Sequence, residues 1–181
     1  HDEQIKVFRN PEGFTHKLIE ITKNALAIHV AENIEFEPSM ESMSLDVEEL
    51  FPKEVNHVQT EIVDSEKHGL YDKSQKDSDI EENFVKNKLE FDDNVEFFFK
   101  FPSKYKIDFP KIIGNYNPDW GIIRKEDSGL KVQLVRETKG TADIERLRFV
   151  HEINKVKVAQ KHFKSLEIDY DIIKGDEYRW F

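Results

Sequence analysis

The spacing of apolar residues changes character near residue 70, and the change divides the chain into two regions. Before that point only one stretch is periodic. Phe14 to Val30 predicts an amphipathic helix, with Leu18, Ile21, Ala25 and Ile28 near helical spacing along one face. Pro38, a Ser/Met/Glu stretch and the acidic DVEELF at 46–51 then read as exposed connecting structure. Residues 1–70 are therefore expected to form a connecting region with one candidate helix, and residues 71–181 the folded domain. The acid-rich stretch from Asp64 to Asp93 reads as a solvated connection, with a loop-like centre, DKSQKDSD.

Beyond residue 70 the pattern sharpens. Ser78-Asp79-Ile80-Glu81 has capping-box spacing, and the helix it opens carries Ile80, Phe84 and Leu89 toward a core. Val95 to Phe101 (VEFFFKF) predicts a strand. Phe97, Phe98 and Phe99 read as core residues and not as a stacking platform, because consecutive strand residues face opposite sides. Tyr105 to Phe109 alternates and predicts a second short strand. Tyr116 to Arg124 and Leu130 to Lys139 flank a five-residue loop ending in Gly129, the pattern of a β-hairpin. Pro118 has no N–H to donate, which confines it to a strand start or an edge. Gly140 and Thr141 end the hairpin, Asp143 to Lys164 predicts a long helix, and Ile168 to Ile173 a closing strand. Helix, three or four strands, helix and strand make an α/β (α+β) fold: a central mixed β-sheet flanked by helices.

Composition narrows the function classes. Hydrophobic residues make up 38% and charged residues 35% of the 181, with a mean hydropathy of -0.68. Fourteen Phe and 12% aromatic content still supply a core and argue against full disorder. No apolar run approaches the ~20 residues of a membrane helix, and HDEQIKVFRN has no signal-peptide core. The chain has no cysteine, which excludes disulfides, thiolate metal sites and thiol nucleophiles. A cytoplasmic location is expected. A net charge of -10 argues against a general polyanion binder, so any nucleic-acid surface must be local.

The candidate chemistry sits on the hairpin. Glu137 and Lys139 are two apart on one strand and share a face. Folding the hairpin brings Asp119, at the start of the partner strand, beside Glu137. Two carboxylates there repel unless a cation compensates, and a hard divalent ion with oxygen ligands is the natural one. Lys139 adds a fixed positive charge able to orient water or stabilise a developing phosphate charge. A bare E-x-K is weak in so charged a chain, where it more often marks a surface ion pair worth ~0–1 kcal/mol. Pro-Asp opening one strand, Glu-x-Lys closing the next, then Gly and a helix form a far more specific combination. The seven histidines show no paired ligand spacing, and His162 reads as a packed helix residue.

YNPDWGII and LVRETKG together resemble the nuclease core of the PD-(D/E)xK superfamily. More closely, they resemble the C-terminal endonuclease domain of the Res subunit of type III restriction enzymes. GLYDKSQKDSDIEENFV, KVAQKHF and IDYDII lie where that family has its first-helix approach, second helix and last strand, so the likeness covers roughly residues 69–174. The resemblance implies cleavage of double-stranded DNA with Mg²⁺, for which Mn²⁺ can substitute. It also implies attachment to an ATP-driven helicase/translocase domain whose motifs this sequence lacks, with ATP acting only through it. Together with the acidity, it implies that a methyltransferase/specificity subunit reads the DNA sequence. By the same resemblance Asp119 and Glu137 match the metal-binding carboxylates, Lys139 the catalytic lysine and the Thr138 carbonyl a further ligand. Glu81 matches an acidic residue of the first helix that completes the site; capping the helix is its alternative role, and Glu82 is its alternate. Arg146 and Arg148 are candidate phosphate contacts, against the plainer reading of a solvated helix face. Trp120 is expected to pack, and Tyr116 and Asn117 to position backbone or phosphate, with a turn role simpler for Asn117. Two other readings stay open: a non-catalytic interaction module with a nuclease-like fold, and a repair or junction nuclease of the same superfamily.

Overall fold

The structure is a computed structural model that describes residues 10–37, 47–54, 62–126, 128–139, 150–174 and 180. Helix α1, Pro11–Asn33, starts where Asn10 caps it: the Asn10 Oδ1 accepts the Gly13 N–H at 2.9 Å, and Pro11 occupies the first turn. The face it buries differs from the one its periodicity suggests. Ala27 and Ala31 are buried, whereas Leu18 and Ile21 stay 52% and 55% exposed, and Ala25 and Ile28 are exposed too. Helix α4, Val150–Ser165, packs against α1. Small alanines let two helix backbones approach closely, so shape and not hydrophobicity selects this face.

Helix α2 is a single turn, Val47–Leu50, and strands β1, Ile62–Asp64, and β2, Lys73–Gln75, pair antiparallel. Helix α3, Asp79–Phe84, opens at Ser78, whose Oγ accepts the Glu81 N–H at 3.3 Å. It runs on as a π-helical turn, Val85–Leu89. Phe84, Val85 and Leu89 are fully buried.

The central sheet has the order β3 (Val95–Lys100), β4 (Trp120–Lys125), β5 (Lys131–Lys139), β6 (Asp169–Lys174). The first two pairings are antiparallel and the last is parallel. A parallel neighbour needs a long crossover, which α4 supplies. The sheet is mixed and flanked by helices, as the element order requires. Tyr105 to Phe109 is not a strand: only the bridge between Ile107 and Tyr116 forms there. The Asn117 side-chain amide instead donates to the carbonyls of Pro102 and Tyr105, at 3.2 and 2.7 Å, and ties this connection down. The helix expected from Asp143 is seen from Val150, residues 140–149 lying outside the described residues.

Period-two alternation sends neighbouring residues of the sheet into two cores. Phe98, Trp120, Ile122, Leu134 and Ile173 join Phe84 and Leu89 on one face. Val135 joins Ala31, Val158, Ala159 and Phe163 on the other. Burying side chains of this size contributes about 1.5–3 kcal/mol each. Gly121 is fixed by the Phe99 ring lying across it, since a Cβ there would fall 2.4 Å from the Phe99 Cζ. At one end of the sheet β3, β5 and β6 finish while β4 begins, and the candidate chemistry gathers there.

Candidate active site

Trp120 pairs with Arg136 as the last pair of the β4–β5 ladder, so Asp119 and Glu137 continue the register one step beyond it. Antiparallel pairing thus turns two carboxylates distant in sequence into neighbours. The Asp119 Oδ2 accepts the Thr138 backbone N–H at 2.7 Å and the Thr138 hydroxyl at 2.6 Å. Its Oδ1 has no hydrogen-bond partner among the described residues. The N–H and C=O of one strand residue point the same way, so the Thr138 carbonyl also faces the β4 side. Continuing the register two steps past Trp120–Arg136 would set Pro118 there, a residue with no N–H to give. A proline at position 118 can give the Thr138 carbonyl no ladder donor from that position.

Glu137 is 4% exposed. Its Oε2 accepts the Tyr116 hydroxyl at 2.6 Å, and its Oε1 lies 2.9 Å from the Lys139 Nζ. Tyr116 also shares a 2.9 Å hydrogen bond with the Tyr170 hydroxyl. Burial, with the Asp119 charge second, pushes the Glu137 carboxyl up to about 7, against the opposing pull of Lys139 and Tyr116. Burial pushes both tyrosines well up as well, aided by the Glu137 charge, so both keep their protons. Burial works to lower the Lys139 ammonium, but the charge and hydrogen bond of Glu137 outweigh it and raise it. Glu152 on α4 lies 3.5 Å from the same ammonium.

From the opposite face of the sheet, α3 delivers Glu81, 6% exposed. Its Oε2 accepts the Asp77 N–H and the Lys100 ammonium, both at 2.7 Å, and its Oε1 lies 3.4 Å from the Thr138 hydroxyl. The capping and site roles are therefore compatible: one oxygen caps the helix while the other reaches the end of the sheet. Lys100 also pairs with Asp77 at 2.6 Å. Burial opposes its charge, yet these two partners hold its ammonium above the usual range. Glu82 turns away from the site and sits between Lys76 and Lys86.

The structure thus brings Asp119, Glu137, Thr138, Lys139 and Glu81 to one end of the sheet, while Arg146 and Arg148 lie outside the described residues. Trp120 is fully buried beneath the site. The sequence reading missed Tyr170, Lys100 and Glu152, which chain segments remote from the hairpin bring in, and it expected Tyr116 to position backbone or phosphate where the structure has its hydroxyl donating to Glu137. Among the described residues no three His, Asp or Glu side chains form a complete metal cage. Two carboxylates and the Thr138 backbone carbonyl, all hard oxygen donors, fit a cation that keeps several waters of its own. The raised Glu137 carboxyl records the same need, since burial and repulsion from Asp119 leave it short of positive charge.

A family model described as an endonuclease domain matches residues 67–176, more than half of the chain. That span holds the whole central sheet, α3, α4 and each of the gathered side chains. No curated protein and no solved structure matches. The chain belongs to the endonuclease-domain family, and its mixed sheet is a restriction-endonuclease-like core.

Proposed function

We propose that this chain hydrolyses phosphodiester bonds of double-stranded DNA with a divalent cation, Mg²⁺ or in its place Mn²⁺, held by Asp119, Glu137 and the Thr138 carbonyl. The observation that carries the reading is Glu137 itself. A buried carboxylate facing Asp119 across the ladder, with one lysine beside it, is destabilised unless more positive charge arrives. When bound, such an ion supplies Lewis acidity, polarising phosphoryl oxygens and making a water in its shell more acidic. The protein's residues do the remaining work. Tyr116 keeps its hold on one oxygen of Glu137, while the partly exposed Lys139 is the partner with room to yield. Lys139 then offers its ammonium to the charge developing on the phosphate. A water oxygen bonds to phosphorus and gives up a proton to solvent, the bond to one bridging oxygen breaks, and that oxygen takes a proton from solvent. Glu81 and the Asp119–Thr138 contacts fix the end of β5.

The likeness of NPDW and ETKG to type III Res subunits supports a finer reading: a nuclease delivered by an ATP-driven translocase domain, with a methyltransferase/specificity subunit choosing the site. The net charge of -10 supports it too, because a chain so acidic holds DNA weakly alone and loses its grip steeply as salt rises. The test is nicking of supercoiled plasmid at low salt with Mg²⁺ or Mn²⁺, comparing the chain with Asp119→Ala. Metal-dependent nicking that vanishes in the variant is the expected outcome. Equal nicking by both would refute the assignment. If neither nicks, the same pair is compared within a protein carrying the translocase, where inactivity of the unsubstituted form would favour a non-catalytic scaffold.

A further inference from the structure

Beside Asp119 the sheet end opens into a cleft of about 360 Å³, lined by the short helix α2, by β2 and by the end of β3 with the loop that follows it. The volume lies within the range of sites that take a small organic group. Its walls are aromatic. Phe51 meets Phe99 edge-on with ring centroids 4.9 Å apart, and Phe99 meets Phe101 in the same way at 4.9 Å. Tyr71 lines the same cleft and anchors its hydroxyl on the Pro52 carbonyl at 2.8 Å. None of these four rings is fully buried; of the three consecutive Phe expected in the core only Phe98 is there, Phe97 being exposed and Phe99 bordering the cleft.

The charges are ordered. Lys73 and Lys104 are exposed at the lining, and Asp119 stands at the catalytic end. Asp77, the other carboxylate of the lining, is bound by Lys100, which carries the ion-pair network on to Glu81. A flat aromatic group inside, with anionic groups along a basic rim, is the chemistry of a nucleotide. Stacking on aromatic side chains accepts any base, because each has a π face.

We propose that this cleft receives a nucleobase unstacked from the strand being cut, seated against Phe51 and Phe99 while the neighbouring phosphates run along Lys73 and Lys104. The proposal rests on the phosphodiesterase reading above and adds a substrate contact to it. Extrusion of one base turns the backbone outward and presents the adjoining phosphate to Asp119. The energy of unpairing is smallest at bulges and mismatches, so such sites are favoured.

The test is a binding measurement without metal, which does not depend on cleavage. A short duplex with one unpaired central nucleotide is compared with the same duplex carrying an abasic sugar at that position. The expected result is about 5- to 150-fold tighter binding when the base is present, the range that one stacking contact supplies. Phe51→Leu, which keeps apolar bulk but removes the ring, brings the ratio to about one, and Phe51→Tyr restores it. Circular dichroism and the unfolding midpoint confirm that both variants fold. A second measurement uses the unsubstituted chain alone: a bulged 2-aminopurine becomes shielded from acrylamide quenching on binding. Equal affinity for the two duplexes, a ratio untouched by Phe51→Leu in a folded variant, or an unshielded base each overturns the proposal. Asp119-dependent nicking with equal affinities would leave the nuclease reading standing and remove the cleft. Base preference without nicking, in the chain alone and within a protein carrying the translocase alike, would support the cleft and remove the catalysis.

Discussion

Replacing Glu137 with Gln gives a test in which stability and function move in opposite directions. In the unfolded chain this carboxyl titrates at its ordinary value of 4.5, and in the folded chain at about 7. Between these values the folded state holds a proton that the unfolded state has lost. The stability from that proton is complete below 4.5 and is lost as pH rises through 7. At about 1.4 kcal/mol per pH unit, the gap corresponds to about 3 kcal/mol. Glutamine has the shape of the protonated acid and never ionises, so Glu137→Gln escapes the loss. Chemical denaturation of both chains in metal-free buffer should show the difference between them shifting by ~2.5 kcal/mol in favour of the variant from pH 5 to pH 8.5. Adding Mg²⁺ at pH 8.5 should then stabilise the unsubstituted chain, by about 2.7 kcal/mol at a hundred times the dissociation constant, and the variant far less. Nicking should be lost in the variant throughout. A difference that stays flat with pH would refute the account of Glu137, and equal stabilisation of both chains by Mg²⁺ would refute its role in holding the cation.

Four further outcomes follow from the same geometry. Lys139→Ala should lower nicking by about 100- to 1,000-fold with the fold retained, measured on plasmid and by circular dichroism, because the charge it supplies matters most as the phosphate reacts. Tyr116→Phe removes a donor that favours ionised Glu137, so the nicking pH profile should move to higher pH; a shift the other way would contradict the contact. Lys100→Met leaves the buried Glu81 without its cation and should cost about 3–5 kcal/mol in urea denaturation. Gly121→Ala forces a Cβ into the Phe99 ring and should cost about 1–3 kcal/mol, with the aromatic cleft disturbed as well.

Several parts of this protein were legible in order along the chain. The Ser78 cap, the hairpin closing at Gly129 and the strand at Ile168–Ile173 are each written in a few consecutive residues, because turn chemistry, capping and side-chain period are local. The pairing of Asp119 with Glu137 also follows locally, since a short hairpin loop sets the register for both strands. Other features answer to partners distant in sequence, and a pattern carries a period without naming what lies across it. The apolar stripe of α1 pointed to one face, but close approach to α4 required its alanines, and Leu18 and Ile21 stayed in solvent. Tyr105 to Phe109 alternates like a strand, yet the Asn117 side chain takes up carbonyls there and the loop gains only one bridge. Tyr170 reaches Tyr116 across 54 residues, and Phe51 reaches Phe99 from the residue just past helix α2. The sequence alone determined which residues could do chemistry and where the sheet turns back on itself. Tertiary packing decided how strongly Glu137 holds its proton and which rings border Asp119, because burial and long-range contact exist only once both faces of the sheet are covered.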